Sequence, residues 1–325
     1  MLHTSATLNT LPHSAQQIYK AMDTSGLTPL FDAEGKFIWN TLEYNGHKVY
    51  PFPNIKNKLD SYMKSFPVLD DDIYLPTYSK SGSHWLCEIV MMLTRRSADY
   101  RKEKTSQNML EFWFDPEAKQ NGGRRVMITH LQLGVMPPDI LNNSSGKFIQ
   151  IHRNPADLAV SFFNHLTNLT DIAGHLTHDW NSFITEIFCD RDRMNHPTWW
   201  DYTSEWWTAF KDKPNYLPVF YEELKEHPVK VIGDIAEFLK VGVDQKLVEE
   251  IATRVSFDRM SGEKRKIENH GPVFQEGFTF YRKGIVGDWK THFTKEQHEQ
   301  FMNHHNKELR NIPELYQRFI QYLQP

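Results

Sequence analysis

The chain has 325 residues, 39% of them hydrophobic and 13% aromatic, enough apolar side chain for a folded domain with a substantial core and against a disordered chain. Its 37 basic and 41 acidic residues leave a formal charge of -4, which gives no general attraction to nucleic acid or to an anionic membrane. Residues 1–20 lack the charged and apolar regions of a signal peptide, and no apolar run approaches spanning length, so a cytoplasmic location is expected.

The first 30 residues read as a mobile tail, followed by one continuous domain over residues 31–325. Between Lys36 and Tyr50, two short apolar runs flank Asn45-Gly46, a pair that tolerates the positive φ of a tight hairpin turn. Ile73 to Tyr78 is a β-rich run. Ser79-Lys80-Ser81-Gly82-Ser83 is a tight loop, and Trp85, Leu86, Ile89, Val90 and Leu93 then follow at helical spacing. This strand, loop and helix place small residues and Lys80 at a helix N-terminus, where free N–H groups and the dipole favour a phosphate. The loop is not the full G-x-x-x-x-G-K-[ST] signature, because the lysine precedes the glycine, and by itself it reads equally as a surface turn.

The pattern recurs. Lys147 to Ile151 is strand-like, Asn154 and Pro155 form an N-cap and first helical residue, and Leu158 to Leu166 has helical periodicity. Arg153 sets a planar, multi-donor cation beside that helix start, with Ser161 two turns along; the plainer alternative is that Arg153 pairs with Asp157. Tyr216 to Tyr221 is a third strand, followed by a helix from Val229 to Leu239. Alternating strands and helices predict an α/β fold with a mainly parallel central sheet flanked by helices on both faces. A third cationic segment, Phe280 to Lys290, holds Arg282, Lys283, Gly284 and Gly287 among aromatics. Cys87 and Cys189 lie in stretches that read as buried helix and are expected to be reduced core thiols.

Taken together, the three segments resemble the cytosolic sulfotransferases. TYSKSGSHWL from Thr77 is similar to that family's TYPKSGTTW phosphosulfate loop, RNPADLAVS from Arg153 to its 3′-phosphate motif, and RKGIVGDWKTHF from Arg282 to its RKGxxGDWKxxF motif. Thr129-His130-Leu131 resembles the family's THLP element, Phe220-Tyr221-Glu222-Glu223 its FYED, and Glu205-Trp206-Trp207 its EWW, so the likeness runs from about Pro51 to the C-terminus.

The resemblance implies a P-loop-like phosphosulfate loop, 3′-phosphoadenosine 5′-phosphosulfate as co-substrate, the 3′,5′-bisphosphate as product, and no metal. It assigns Lys80, Ser81, Gly82, Ser83 and His84 to the 5′-phosphosulfate, and Arg153, Ser161, Arg282, Lys283 and Gly284 to the 3′-phosphate. Trp85, Tyr221, Ser256 and Phe257 would surround the adenine. His130 would act as general base and Lys80 would stabilise the leaving oxygen. Met109 and Phe112, aligned with a FLEF-like segment, would line a pocket for a small, largely apolar acceptor. Three positions depart from the pattern: Ser79 replaces a proline, His84 a threonine, and Ile128 the lysine before Thr-His, and a protonated His84 is expected to make up for the missing charge. The family's dimer element is altered at Lys295, where an apolar residue is usual, so a monomer or a different dimer is expected. Two other readings stay open at this point: a nucleotide-binding protein that has lost turnover, and a kinase-like phosphotransferase.

Overall fold

The computed structural model describes residues 26–51, 54–111, 124–170, 175–268 and 273–325. Most of the expected N-terminal tail lies outside them, but Leu27–Phe31 forms strand β1 and pairs antiparallel with β2, Phe37–Tyr44. Strand β1 therefore runs across the boundary expected near Leu30. The hairpin is as the sequence implies: β2 returns as β3, His47–Val49, through Asn45 at φ 50° and Gly46 at φ 77°. Both central residues sit in the left-handed region, the geometry that matches a turn to the twist of its strands.

The central sheet is parallel and has the order β5-β4-β6-β7. Its strands are β4, Ile73–Pro76; β5, Val126–Thr129; β6, Lys147–His152; and β7, Tyr216–Phe220. Side chains alternate between its faces. Ile73, Leu75, Val126, Ile128, Ile149, Ile151 and Val219 pack with helices α2 (Ser83–Arg95), α5 (Pro228–Leu239) and α6 (Gln245–Arg254). Tyr74, Met127 and Phe148 face the other layer, where Phe148 packs on Trp206 and Phe210 of α4 (Trp199–Phe210), and Phe162 of α3 (Pro155–Thr167) belongs to the same apolar cluster. Helix α1, Ile55–Lys64, adds Ile55 and Leu59 to that second layer. Among the described residues no helix is long and apolar enough to cross a membrane.

Asn154 caps α3 as expected, its Oδ1 accepting from the backbone N–H of Asp157 at 2.9 Å. Its side-chain amide also donates to the buried carboxylate of Glu222 at 2.8 Å. Asn154→Ala should cost about 1–2 kcal/mol, the range for a lost N-cap. The check is a urea titration whose midpoint falls while its slope stays constant.

Two buried features were not foreseen. Cys87 lies within α2, but Cys189 is half-buried in the turn after a π-helical segment, Phe183–Ile187, because the chain leaves the helix at Phe188. Lys264, in the basic run Lys264-Arg265-Lys266, is fully buried and pairs with Glu88 of α2 at 3.0 Å and with Glu268 at 3.6 Å. Thr105 donates to Glu268 from both its backbone and its hydroxyl, which satisfies that carboxylate.

Candidate active site

Adjacent strands β4 and β6 each end in a turn that feeds a helix, and the chain crosses over between them, so both turns open onto one crevice at the carboxyl edge of the sheet. In the first turn Lys80 has φ 69° and Gly82 φ 114°. At that φ any side chain is strained, and a Cβ on Gly82 would also crowd the Tyr221 ring at 3.1 Å and Ile151 at 3.2 Å, which favours glycine there. Ser81 Oγ, Arg153 Nε and Trp85 Nε1, which meet at these turns, are among the buried donors with no hydrogen-bond partner among the described residues. Buried donors left open in this way mark a place where a ligand supplies acceptors. Ser83 begins α2 and is buried.

Arg153 does not pair with Asp157. Its guanidinium lies 4.4 Å from the centre of the Tyr221 ring, and Nη1 donates to the Lys80 carbonyl at 3.2 Å, which joins the two turns. Asp157 instead accepts from the backbone N–H of Gly287 at 2.7 Å and of Trp289 at 3.0 Å. The third segment is thereby fastened to α3, beside Ser161 one turn farther along. Within that segment Arg282 and Lys283 both donate to Asp288, the lysine at 2.7 Å. Gly284 has φ 63°, and a Cβ there would fall 2.1 Å from the Phe257 ring, so the cationic turn rests directly on Phe257. Trp85 meets Tyr221 edge-on at 5.3 Å. Ser256, at the start of the short helix that carries Phe257, is exposed.

Lys80 is half-buried, with Nζ 4.5 Å from the centre of the Phe280 ring. Burial, together with the positive fields of Arg153 and Arg282, pulls its pKa down to about 7. The His84 ring packs on the same Phe280 at 4.6 Å. The sequence placed Phe280 at the head of the third cationic segment but gave no sign that its ring would sit against Lys80 and His84.

His130 follows β5. Its Nδ1 is 2.6 Å from the Thr77 carbonyl, which can only accept, so Nδ1 carries the proton and Nε2 keeps its lone pair. Burial lowers the pKa of His130, and the nearby Glu111 carboxylate opposes that shift. The imidazole lines a cleft together with Lys48, Tyr50, Glu111, Gln132 and His196. Tyr50 and His196 share a hydrogen bond of 2.7 Å across the cleft wall.

Met109 is bridged to Ile128 and packs among the apolar residues under α2, and it does not line this cleft; Glu111, two residues on, does. Phe112 lies outside the described residues. Ile128 is fully buried in register with Leu75, so a lysine there would carry its stem through an apolar layer.

These features make an α/β fold in which two strand-to-helix turns bring cations and open donors to one crevice, beside a cleft lined by a histidine. The profile of the sulfotransferase domain matches residues 70–313. Sulfotransferase 1C2 of Homo sapiens is 31% identical over 258 residues, which cover 74% of this chain and 84% of that protein. Sulfotransferase 1B1 of Mus musculus is 31% identical over 256 residues, 74% of this chain and 83% of that one. Among solved structures, mouse sulfotransferase SULT7A1 complexed with PAP has a TM-score of 0.66 at 28% identity, covering 83% of this chain and 95% of that chain. Retinol dehydratase in complex with retinol and PAP shares the fold, with a TM-score of 0.66 at 20% identity over 92% of this chain and 95% of that one. The chain belongs to the sulfotransferase family, and it is an enzyme of that class.

Proposed function

We propose that the enzyme transfers a sulfonate group from 3′-phosphoadenosine 5′-phosphosulfate to a hydroxyl or amine of a small, largely apolar acceptor, with His130 as general base. The observation that carries this reading is the His130 tautomer: Nδ1 is committed to the Thr77 carbonyl, so Nε2 is left as the proton acceptor in the cleft. The PAP in the SULT7A1 structure supports the choice of nucleotide.

The turn of Lys80, Ser81, Gly82, Ser83 and His84 would receive the 5′-phosphosulfate, and the open Ser81 hydroxyl suits its oxygens. Arg153, Ser161, Arg282, Lys283 and Gly284 would hold the 3′-phosphate, with Asp288 giving up some of its contact to the two cations. Trp85, Tyr221, Ser256 and Phe257 would border the adenine.

His130 takes the acceptor's proton as the acceptor oxygen or nitrogen bonds to sulfur. The bond from sulfur to the bridging oxygen breaks with its electron pair on that oxygen, and Lys80 neutralises the charge formed there. Positioning and charge account for the rate, as in phosphoryl transfer. Lys295 is well exposed at the altered dimer element, in keeping with a monomer or a differently built dimer. A buried thiol at Cys87 suits the cytoplasm.

Labelled phosphosulfate donor presented with a panel of phenols, sterols, alcohols and amines tests the reaction, and no labelled product from any acceptor would refute it. The nucleotide site has its own check. PAP should raise the melting temperature more than AMP does, and equal shifts would count against a 3′-phosphate site. Arg153→Ala and Lys283→Ala should each weaken PAP binding by about 1.5–3 kcal/mol, the scale of a hydrogen bond to a charged group. Calorimetric titration measures this directly.

A further inference from the structure

Glu111 is almost fully buried, yet it stands at the wall of the cleft that holds His130. One carboxylate oxygen, Oε1, accepts from the His130 backbone N–H and from the Thr129 hydroxyl, the latter at 2.8 Å. The Thr129 hydroxyl accepts in turn from the Leu131 N–H at 3.1 Å, so this one carboxylate organises the backbone on both sides of the histidine. The other oxygen, Oε2, is buried with no hydrogen-bond partner among the described residues. A carboxylate left half-satisfied in a protein interior is costly, and such a group persists where its charge has a use.

We infer that Glu111 is a positioning residue for the transfer: its buried carboxylate sets the turn that carries His130 and keeps a negative charge beside the imidazole as it takes up the acceptor's proton. This rests on the reading of His130 as general base. The carboxylate bonds to the backbone of His130 and not to the ring, so it acts through turn geometry and through its field.

The other groups facing the imidazole cannot supply that field. Lys80, from the phosphate turn, opposes protonation of His130, and Lys48, from β3, adds a second cation at the cleft. Tyr50, beyond the end of β3, is pushed up by burial, and His196, from the segment before α4, is pushed well down by burial, so both stay neutral near pH 7. Glu111 raises the proton affinity of His130 against these influences. Without its charge, the free imidazole protonates at lower pH and the imidazolium formed in the reaction is less stabilised. The acid limb of the rate profile then moves to lower pH, while the plateau falls because the base is weaker.

The test is the pH dependence of kcat for Glu111→Gln, Glu111→Asp and His130→Ala, with the PAP dissociation constant, acceptor KM and melting temperature of each. The glutamine variant keeps an acceptor oxygen but loses the charge. It should lower kcat, by less than the roughly 10²- to 10⁴-fold expected for removal of the base itself. Its acid limb should move to lower pH, with PAP affinity unchanged. Glu111→Asp keeps the charge and should hold the acid limb at its wild-type position. A glutamine variant with wild-type kcat and acid limb, alongside an inactive His130→Ala, would overturn the role of Glu111 and leave the base intact. An active His130→Ala would overturn the base and this inference with it. If the glutamine variant does not fold, Asp and Asn at position 111 differ in charge alone and carry the same comparison, where identical acid limbs would overturn the proposal.

Discussion

His130→Ala is expected to lower turnover about 10²- to 10⁴-fold, the contribution of a positioned general base, while PAP affinity stays within a factor of about two. The separation follows from where the ring sits. His130 lies after β5 and lines the cleft with Tyr50 and Glu111, whereas the open donors of the nucleotide turns belong to Ser81, Trp85 and Arg153. The variant should fold, because a half-buried imidazole is lost without exposing the strands on either side. Single-turnover kinetics with saturating donor, paired with calorimetry for PAP, give the answer. A fully active variant would show that another group takes the proton, and a parallel loss of PAP affinity would place His130 in the nucleotide site instead.

The second large effect is a proton taken up when nucleotide binds. In the free protein Lys80 has a pKa of about 7, with burial as the main cause and the fields of Arg153 and Arg282 added to it. A bound phosphosulfate or phosphate brings negative charge against the ammonium and lifts that pKa back towards the ordinary lysine range, near 10.4. The sign follows: below pH 7 Lys80 is already charged and affinity is at its full value. Above pH 7 each binding event must first protonate the amine, and affinity falls by up to about tenfold per pH unit until the bound-state pKa is reached. Ionisation of the ligand does not mask this, since a phosphate with a second pKa near 6 is almost fully dianionic by pH 7.5. Calorimetric titration of PAP at pH 8 in buffers of different ionisation enthalpy should report close to one proton absorbed. Lys80→Arg, charged throughout, should abolish the uptake; affinity that is flat from pH 7 to pH 9 in the wild type would refute the linkage.

Much of this architecture could be read in advance wherever a local residue choice has a local consequence. Asn45-Gly46 makes its hairpin because both residues tolerate positive φ, and Asn154-Pro155 starts α3 because one caps and the other needs no N–H donor. The anion turns were legible for the same reason, since Gly82 and Gly284 take positive φ, a conformation that glycine adopts without strain. What escaped depends on chain segments meeting at a distance. Tyr50 and His196 join across 146 residues of sequence, and nothing near either one announces the other. Lys264 sits in a basic run that looks solvated until Glu88 and Glu268 enclose it. Met109 and Glu111 came from the same aligned segment, but pairing with Ile128 turns the first into the core, while the second reaches the cleft.

The backbone of Lys80 has a bearing on how this enzyme responds to selection. A residue other than glycine at φ 69° carries local strain, and here it also holds a half-buried cation close to two others. Without nucleotide, both features weaken the fold at the very residue that serves the leaving group. Lys80→Asn or Lys80→Gly, which relieves the strain and removes the charge, should therefore raise the melting temperature of the ligand-free protein while extinguishing turnover. A directed-evolution campaign scored on heat resistance alone would enrich such inactive chains, and one run with PAP present would reverse the ranking, because the ligand rewards the lysine that the empty fold disfavours.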